Sequence, residues 1–190
     1  SPDNTYATLC DIASREQRLR VIRQESNSGG VRNWNHVVEA SSGEFIVWCS
    51  DDDRLLPDHI EASVGYLEEH PLVDMVHSGF LNVNEERETD VDGGYMPDIA
   101  AAERNPLKFG VATPLVRREI VSYFLRFYNW PFHPSTLVLR RAFWERVGPF
   151  NPDFELSDTE WFVRAAMQGT IVYLPRYSVI NRRHPGNWSN

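Results

Sequence analysis

Residues 45–57 read FIVWCSDDDRLLP, an apolar run followed by three consecutive carboxylates. The apolar run has the length and the β-branched and aromatic content of a buried strand, so Asp51, Asp52 and Asp53 are predicted to lie at its carboxyl end. Three like charges placed there repel one another and raise their own pKa values unless a cation compensates. Ligands also gather at this edge of open α/β sheets. We therefore expect a divalent-metal site rather than a solvated acidic turn, with oxygen ligands that suit Mg²⁺ or Mn²⁺.

The sequence around this stretch alternates between strand and helix patterns. Period-two alternation predicts the strands, and glycine or proline marks the ends of the helices. After a short helix at 6–12 packed by Tyr6, Leu9 and Ile12, the predicted elements are a strand at 19–23, a helix at 31–40, a strand at 44–49, a helix at 57–70 and a strand at 73–83. This order predicts an α/β fold with a mostly parallel sheet flanked by helices.

The second half of the chain opens with a polar stretch at 84–114 that contains several glycines and prolines. It predicts a mobile excursion around a site rather than a core element. The elements expected after it are a helix at 115–128, a strand at 135–141, a helix at 142–147, a helix capped by Ser157 and running to 168, and a strand at 170–180. We expect one domain over 1–190, with the metal site in a first half at 1–83 and a second half at 115–190.

Charge and composition limit the possible partners. A formal net charge of -8 over 190 residues argues against nonspecific binding to nucleic acid or to anionic lipid, since both need a basic face. The two cysteines, Cys10 and Cys49, give no disulfide framework, and Cys49 is expected to be a buried thiol in a strand. No apolar run approaches the ~18 residues of a transmembrane segment. These features predict a protein of the cytoplasm, or a soluble module of a larger protein.

Further acidic side chains open the helix predicted after residue 157. Asp158 and Glu160 lie there, one helical turn before Arg164. Acidic residues are favoured at a helix N-terminus by the helix dipole, which is explanation enough for either of them. A carboxylate near a reacting centre can also act as general base toward a hydroxyl group. Both interpretations stay open on the residues alone.

Histidines and asparagines supply the other candidates. His184 follows two arginines, a combination suited to a metal-bound diphosphate, although a lone surface histidine is the commoner case. His133, among prolines and aromatics, is a candidate for an acceptor pocket or for a packed corner. Asn35, on the helix after the glycine turn, either faces the cleft or is an ordinary exposed residue.

Taken together, these residues resemble glycosyltransferase family 2, whose members have the GT-A fold. In the first half the resemblance is carried by Asn27, Gly29, Asn35, the run 43–46, the three aspartates, Leu56 and Pro57. In the second half it is carried by the run 133–136 with Arg140 and Arg141, the turn 147–150, the run 158–161 with Arg164, and the tail 183–187. Several spaced elements match, so the likeness is far more specific than the aspartates alone and covers nearly the whole chain.

The resemblance implies a metal-dependent, inverting, hexosyltransferase-type reaction of polysaccharide biosynthesis. A sugar would pass from a nucleotide-diphosphate donor, UDP-linked or similar, to a hydroxyl of a carbohydrate, lipid-linked or protein acceptor. Asp158 inherits the role of base, with Glu160 as the fallback. The ligands implied for Mn²⁺ or Mg²⁺ are Asp51, Asp52, Asp53 and His184. The substrate-binding residues implied are Asn27, Asn35, Asp51, His133, Arg183 and His184.

Two departures from the family pattern affect these expectations. Ser50 stands where an additional aspartate is common, which leaves the choice of metal ligand among residues 51–53 open. The chain also starts at a turn that the family places after an opening strand, helix and strand, so the nucleoside-binding part is expected to be missing and nucleotide affinity to be weak. A noncatalytic carbohydrate-binding remnant of the fold and a nucleotidyltransferase remain as alternatives.

Overall fold

The computed structural model describes residues 3–84, 87–95, 112–115 and 133–184. The chain divides into two compact units, Ser1–Ser42 and Gly43–Asn190. The first unit contains helices α1 (Thr5–Arg15) and α2 (Gly30–Glu39). Gly29, immediately before α2, has φ of 84°, a conformation that glycine adopts without steric cost. Both predicted helices of this unit are confirmed.

Two expectations for the first unit are wrong. Residues 19–23 form no strand, because no described segment of the chain pairs with them and a strand needs a hydrogen-bonded neighbour. The apolar side chains that were expected to pack α1 are exposed, and no residue of this helix is buried. The helical period was therefore read correctly, but the packing was not.

The second unit is built on one sheet with helices. Its strands are β1 (Phe45–Val47), β2 (Asp53–Leu55), β3 (Met75–Asn84), β4 (Arg87–Tyr95), β5 (Thr113–Leu115), β6 (Val138–Arg140) and β7 (Ile171–Arg183). Its helices are α3 (His59–Glu69), a 3₁₀ helix (Pro134–Thr136), α4 (Arg141–Val147) and α5 (Ser157–Gln168). The strands lie in the order β1-β6-β3-β7-β2, with β4 paired to β3 and β5 paired to β7.

The α/β class is confirmed, but the described sheet is mixed rather than mostly parallel. Among the described strands only β3 and β7 pair in parallel, and every other pair is antiparallel. The reason is the place of β6. It lies between β1 and β3 and is antiparallel to both, so β1 and β3 run in the same direction without being neighbours. The prediction assumed that such strands are neighbours.

Several details of the second half also differ from expectation. The excursion at 84–114 includes all of β4 and the first two residues of β5, and the helix expected at 115–128 lies outside the described residues except for Leu115, which ends β5. The strand expected at 135–141 is preceded by the 3₁₀ helix and shortened to β6. Ser157 is the first residue of α5, and Leu156 occupies the N-cap position, so Ser157 does not cap the helix. In the described part of the chain, no helix has both the length and the apolar character needed to cross a membrane.

Two groups of buried side chains hold the sheet and helices together. The aliphatic group lies between α3 and the centre of the sheet and comprises Leu67, Val73, Val76, Val138, Val172 and Leu174. The aromatic group joins the residue that follows β1 to helices α4 and α5 and comprises Trp48, Phe143, Trp144, Phe150, Trp161 and Phe162. Burial of such rings is the main stabilising contribution expected here.

Candidate active site

The three aspartates lie in the short connection between β1 and β2. Asp51 and Asp52 form a turn, and Asp53 is the first residue of β2, where it pairs with Asn181 of β7. The turn is closed by a hydrogen bond of 3.2 Å from the Asp53 amide to the Ser50 carbonyl. We call residues 50–53 the aspartate turn. It is attached through β2 to the long strand β7.

Asp53 points into the protein. Its side chain is only 1% exposed, and its Oδ2 accepts a hydrogen bond of 2.5 Å from Ser135 Oγ. His133 Nδ1 lies 3.6 Å from the same oxygen. Burial raises the pKa of Asp53, against the opposing effects of His133 and of the Ser135 hydroxyl. Burial likewise lowers the pKa of His133, so the protein favours the neutral forms of both groups.

Asp52 lies close to the residue that follows β7. Its Oδ2 lies 3.6 Å from His184 Nε2, and both side chains are about a quarter exposed. Arg183, the last residue of β7, is exposed beside them. The structure thus brings Asp52 and His184 together from opposite ends of the second unit.

The described residues include no group of three histidine, cysteine or acidic side chains that could hold a metal ion between them. They do supply the pair Asp52 and His184, with Asp51 exposed on the same turn. Mg²⁺ and related ions are commonly held by one or two carboxylates and completed by water and substrate phosphates. The donor set therefore fits an ion that a bound diphosphate completes, and not a site formed by protein alone.

The electrostatic potential at the aspartate turn is negative. Cys49, expected to be a buried strand residue, instead follows the end of β1 and is exposed. The pKa of its thiol is raised mainly by partial burial, which disfavours the charged form, and further by the carboxylates of Asp53, Asp52 and Asp51. A further negative charge on the thiol is disfavoured there, and for the same reason a cation is favoured.

Asp158 and Glu160 lie in the first turn of α5 but have different partners. Glu160 forms an ion pair of 2.5 Å with Arg164 Nε. Arg164 also donates hydrogen bonds to the carbonyls of Val147, at 2.5 Å, and Pro149, at 2.7 Å. Asp158 accepts a 2.7 Å hydrogen bond from the Thr159 amide and forms no ion pair with a described residue. Glu160 therefore holds the turn after α4, while Asp158 remains available.

The aromatic group ties both acidic segments to one part of the core. Trp48, three residues before Asp51, contacts Trp161 with ring centroids 6.2 Å apart. Trp161 follows Asp158 by about one helical turn. Its indole nitrogen donates a 2.7 Å hydrogen bond to the Gly148 carbonyl, which fixes the ring. The aspartate turn and the start of α5 are consequently held by the same set of rings.

The remaining predicted residues have various positions. Asn27 and Asn35 belong to the first unit, where Asn27 Oδ1 accepts a 2.9 Å hydrogen bond from the Gly29 amide and Asn35 lies half-buried on α2. His133 lies beside Asp53 and also packs on Phe80, with ring centroids 4.9 Å apart. Sequence reasoning gave no role to Ser135. Its position in the run His-Pro-Ser-Thr was the only signal for it.

Comparison with known proteins places the chain in a family. The model of the family described as Glycosyl transferase family 2 matches residues 1–146, which include the aspartates and His133 but neither Asp158 nor His184. An uncharacterized glycosyltransferase of Bacillus subtilis, YwdF, is 29% identical over 166 residues, which are 87% of this chain and 54% of that protein. The chain thus spans about half the length of this relative.

Solved structures agree with the fold. A crystal structure of S. aureus TarS residues 1–349 in complex with UDP-GlcNAc superposes with a TM-score of 0.71 at 16% identity, covering 98% of this chain and 48% of that one. The mannosyltransferase PcManGT from Pyrobaculum calidifontis, in complex with GDP-Man and Mn²⁺, gives a TM-score of 0.61 at 19% identity, covering 96% and 45%. This likeness confirms the GT-A fold. Because the family model matches most of its residues, the chain belongs to glycosyl transferase family 2.

Proposed function

We propose that this protein is a metal-dependent glycosyltransferase that moves a sugar, with inversion, from a nucleotide-diphosphate donor to an acceptor hydroxyl. The observation that carries the proposal is the pair formed by Asp52, just before β2, and His184, just after β7, whose side chains lie 3.6 Å apart. An imidazole and a carboxylate with partly exposed faces suit a divalent ion that is shared with phosphate oxygens. Membership of the family supports the reaction class.

On the donor side, Asp52 and His184 would hold Mn²⁺ or Mg²⁺, with Asp51 close to the same ion. When bound, such an ion supplies positive charge where the leaving diphosphate becomes more negative. Arg183 would add a guanidinium to the same diphosphate. Asn27 and Asn35 remain our candidates for donor contacts in the first unit. The complexes of TarS with UDP-GlcNAc and of PcManGT with GDP-Man and Mn²⁺ support a UDP-linked or similar donor.

On the acceptor side, Asp158 would take the proton of the attacking hydroxyl. The new bond forms between the acceptor oxygen and the anomeric carbon, while the bond from that carbon to the diphosphate oxygen breaks on the opposite face. Glu160 is a poorer candidate, because Arg164 already neutralises its charge. His133 is our candidate for acceptor contact, and the acceptor would be a carbohydrate, a lipid-linked sugar or a protein. Free thiols at Cys10 and Cys49 agree with a cytoplasmic location, which forms part of the proposal.

The test is a transfer assay on the full-length protein, with UDP-GlcNAc and related donors and with release of nucleoside diphosphate as the readout. Asp158→Asn should lower kcat by about 10² to 10⁴-fold, the usual contribution of a general base, and should leave donor affinity unchanged. Glu160→Gln is the matched control and should retain most of the wild-type kcat. If Asp158→Asn turns over at the wild-type rate, Asp158 is not the base.

The same assay decides between the proposed reaction and its alternatives. Release of pyrophosphate instead of nucleoside diphosphate would identify a nucleotidyltransferase. Complete absence of donor turnover, together with measurable binding of carbohydrate, would identify a noncatalytic binding protein. Either outcome would overturn the proposal.

A further inference from the structure

The three carboxylates of the aspartate turn have three different surroundings. Asp51 is exposed to solvent. Asp52 is about a quarter exposed and faces His184. The side chain of Asp53 is 1% exposed and faces Ser135. Asp53 is the first residue of β2, and of the three side chains only that of Asp53 is buried against Ser135.

We propose that Asp53 is not a metal ligand but a positioning residue, and that Asp53 and Ser135 together brace the turn that carries Asp51 and Asp52. This inference rests on the proposed function in one respect, which is that the braced turn carries the metal ligands. It narrows the choice of metal ligand, which the sequence left open among residues 51–53, to Asp51 and Asp52. The brace itself consists of hydrogen bonds within the protein and does not depend on a bound ligand.

Ser135 is the centre of the brace because its hydroxyl group reaches both ends of the turn. It donates a hydrogen bond of 2.5 Å to Asp53 Oδ2 and accepts one of 3.3 Å from the Ser50 amide. The Asp53 amide in turn donates to the Ser50 carbonyl at 3.2 Å. The residues on either side of Asp51 and Asp52 are therefore held by one side chain from a distant part of the sequence.

Ser135 is itself held in place by a contact with helix α3. It is fully buried in the 3₁₀ helix, and its carbonyl accepts a hydrogen bond of 3.1 Å from Nε2 of His59. His59 is buried at the start of α3, and its other ring nitrogen lies 3.4 Å from the Ser63 hydroxyl. The brace thus joins the turn to α3 through a continuous set of polar contacts. Such a chain restricts the rotation of the serine.

The remaining polar atoms near Asp53 explain why Ser135 is its principal partner. His133 Nδ1, at 3.6 Å, is too far for a good hydrogen bond. Asp53 Oδ1 is buried and accepts no hydrogen bond from a described residue, although the Ser50 hydroxyl is near enough to favour the ionised form. Removing the Ser135 hydroxyl would leave Asp53 Oδ2 without a donor among the described residues. The turn would then be expected to rearrange.

The experiment compares Ser135→Ala with Ser178→Ala in the full-length protein. Ser178 is also fully buried, and its hydroxyl makes no hydrogen bond with described residues, so it is the matched control. Affinity for Mn²⁺ in the presence of UDP is measured by electron paramagnetic resonance of the free ion. Ser135→Ala should weaken it by about 10 to 100-fold, as loss of a group that orients a ligand commonly does, while Ser178→Ala should not.

A second readout needs no ligand. Hydrogen exchange of the Ser50 amide should become at least about tenfold faster in Ser135→Ala, since that amide loses its acceptor, and should stay as in the wild type in Ser178→Ala. Asp53→Asn serves if Ser135→Ala does not fold. The carboxamide that this substitution introduces keeps an oxygen acceptor for the serine, so exchange at Ser50 should stay slow, and Mn²⁺ affinity should fall by no more than about tenfold.

Two results would overturn the inference. One is unchanged exchange at Ser50 in Ser135→Ala, which would exclude the brace. The other is a complete loss of Mn²⁺ binding in Asp53→Asn together with full binding in Ser135→Ala, which would make Asp53 a ligand. If the wild type binds no Mn²⁺ with UDP, the proposed function fails, and the exchange measurement alone then decides whether the brace exists.

Discussion

His77 should make the protein sensitive to acid, and His77→Phe should remove part of that sensitivity. His77 lies on β3 with 1% of its surface exposed, and its ring packs on Tyr173 with centroids 4.9 Å apart. Burial lowers its pKa from 6.5 to about 3, because the charged ring would lose its hydration. Phenylalanine keeps a ring of similar size at this position but cannot titrate.

The sign and size of the effect follow from proton binding. The folded state keeps His77 neutral down to about pH 3, whereas the unfolded chain takes up a proton below about pH 6.5. The stability that the neutral ring contributes is therefore complete above pH 6.5 and is lost as the pH falls toward 3. A pH of about 4.5 lies roughly two units below the pKa of His77 in the unfolded chain. Protonation of the unfolded chain at that pH therefore lowers the unfolding free energy by about 2–3 kcal/mol.

Urea unfolding at about pH 7 and pH 4.5, followed by tryptophan fluorescence, measures this difference. His59 and His133 act in the same direction, since burial lowers their pKa values too, so the informative quantity is the change between wild type and variant. Leu72→Ala, at an exposed side chain that does not titrate, is the control and should leave the difference between the two pH values unaltered. If His77→Phe loses as much stability between these pH values as the wild type does, the reasoning is wrong.

Two further predictions concern packing and the turn after α4. Gly169→Ala should lower the unfolding free energy by about 1–3 kcal/mol, because the added carbon would lie 2.4 Å from the ring of Phe143. Gly65→Ala, on α3 with open space around it, should be neutral or stabilising, and equal effects of the two substitutions in denaturant unfolding would refute the clash. Arg164→Met should lower the unfolding free energy by about 3 kcal/mol, since two carbonyls and Glu160 lose a charged donor. The double variant Arg164→Met with Glu160→Gln should lose less stability than the two single variants lose together, and strict additivity would show that the two side chains do not interact.

The sequence predicted element types better than their arrangement. Helices α2, α3 and α5 and strands β3 and β7 lie within a few residues of their expected bounds, because each has an apolar period and a clear glycine or proline boundary. The order of the strands in the sheet could not be predicted from the sequence. The insertion of β6 between β1 and β3 depends on contacts between segments that are far apart in the sequence, and local periodicity carries no information about them.

The candidate site shows the same division. The run of three aspartates predicts an acidic strand end, but three identical residues give no indication of which one points inward. That choice depends on where β2 begins and on its pairing with β7. The ion pair of Glu160 with Arg164 follows from their helical spacing of four residues, so this contact could be predicted from the sequence alone.

The pairing of β2 with β7 is what sets the geometry of the proposed metal site. Asp53 pairs with Asn181, so Asp52, one residue before the strand, comes opposite the segment that leads to His184. A slip of one residue would shift the strands by about 3.3 Å and turn the side chain of Asp53 to the other face of the sheet. β7 cannot slip easily, because it also pairs in parallel with β3 along most of its length, as far as Arg183. The parallel pair at the centre of the sheet thus fixes the strand that carries the histidine, and the Ser135 brace fixes the turn that carries the carboxylate.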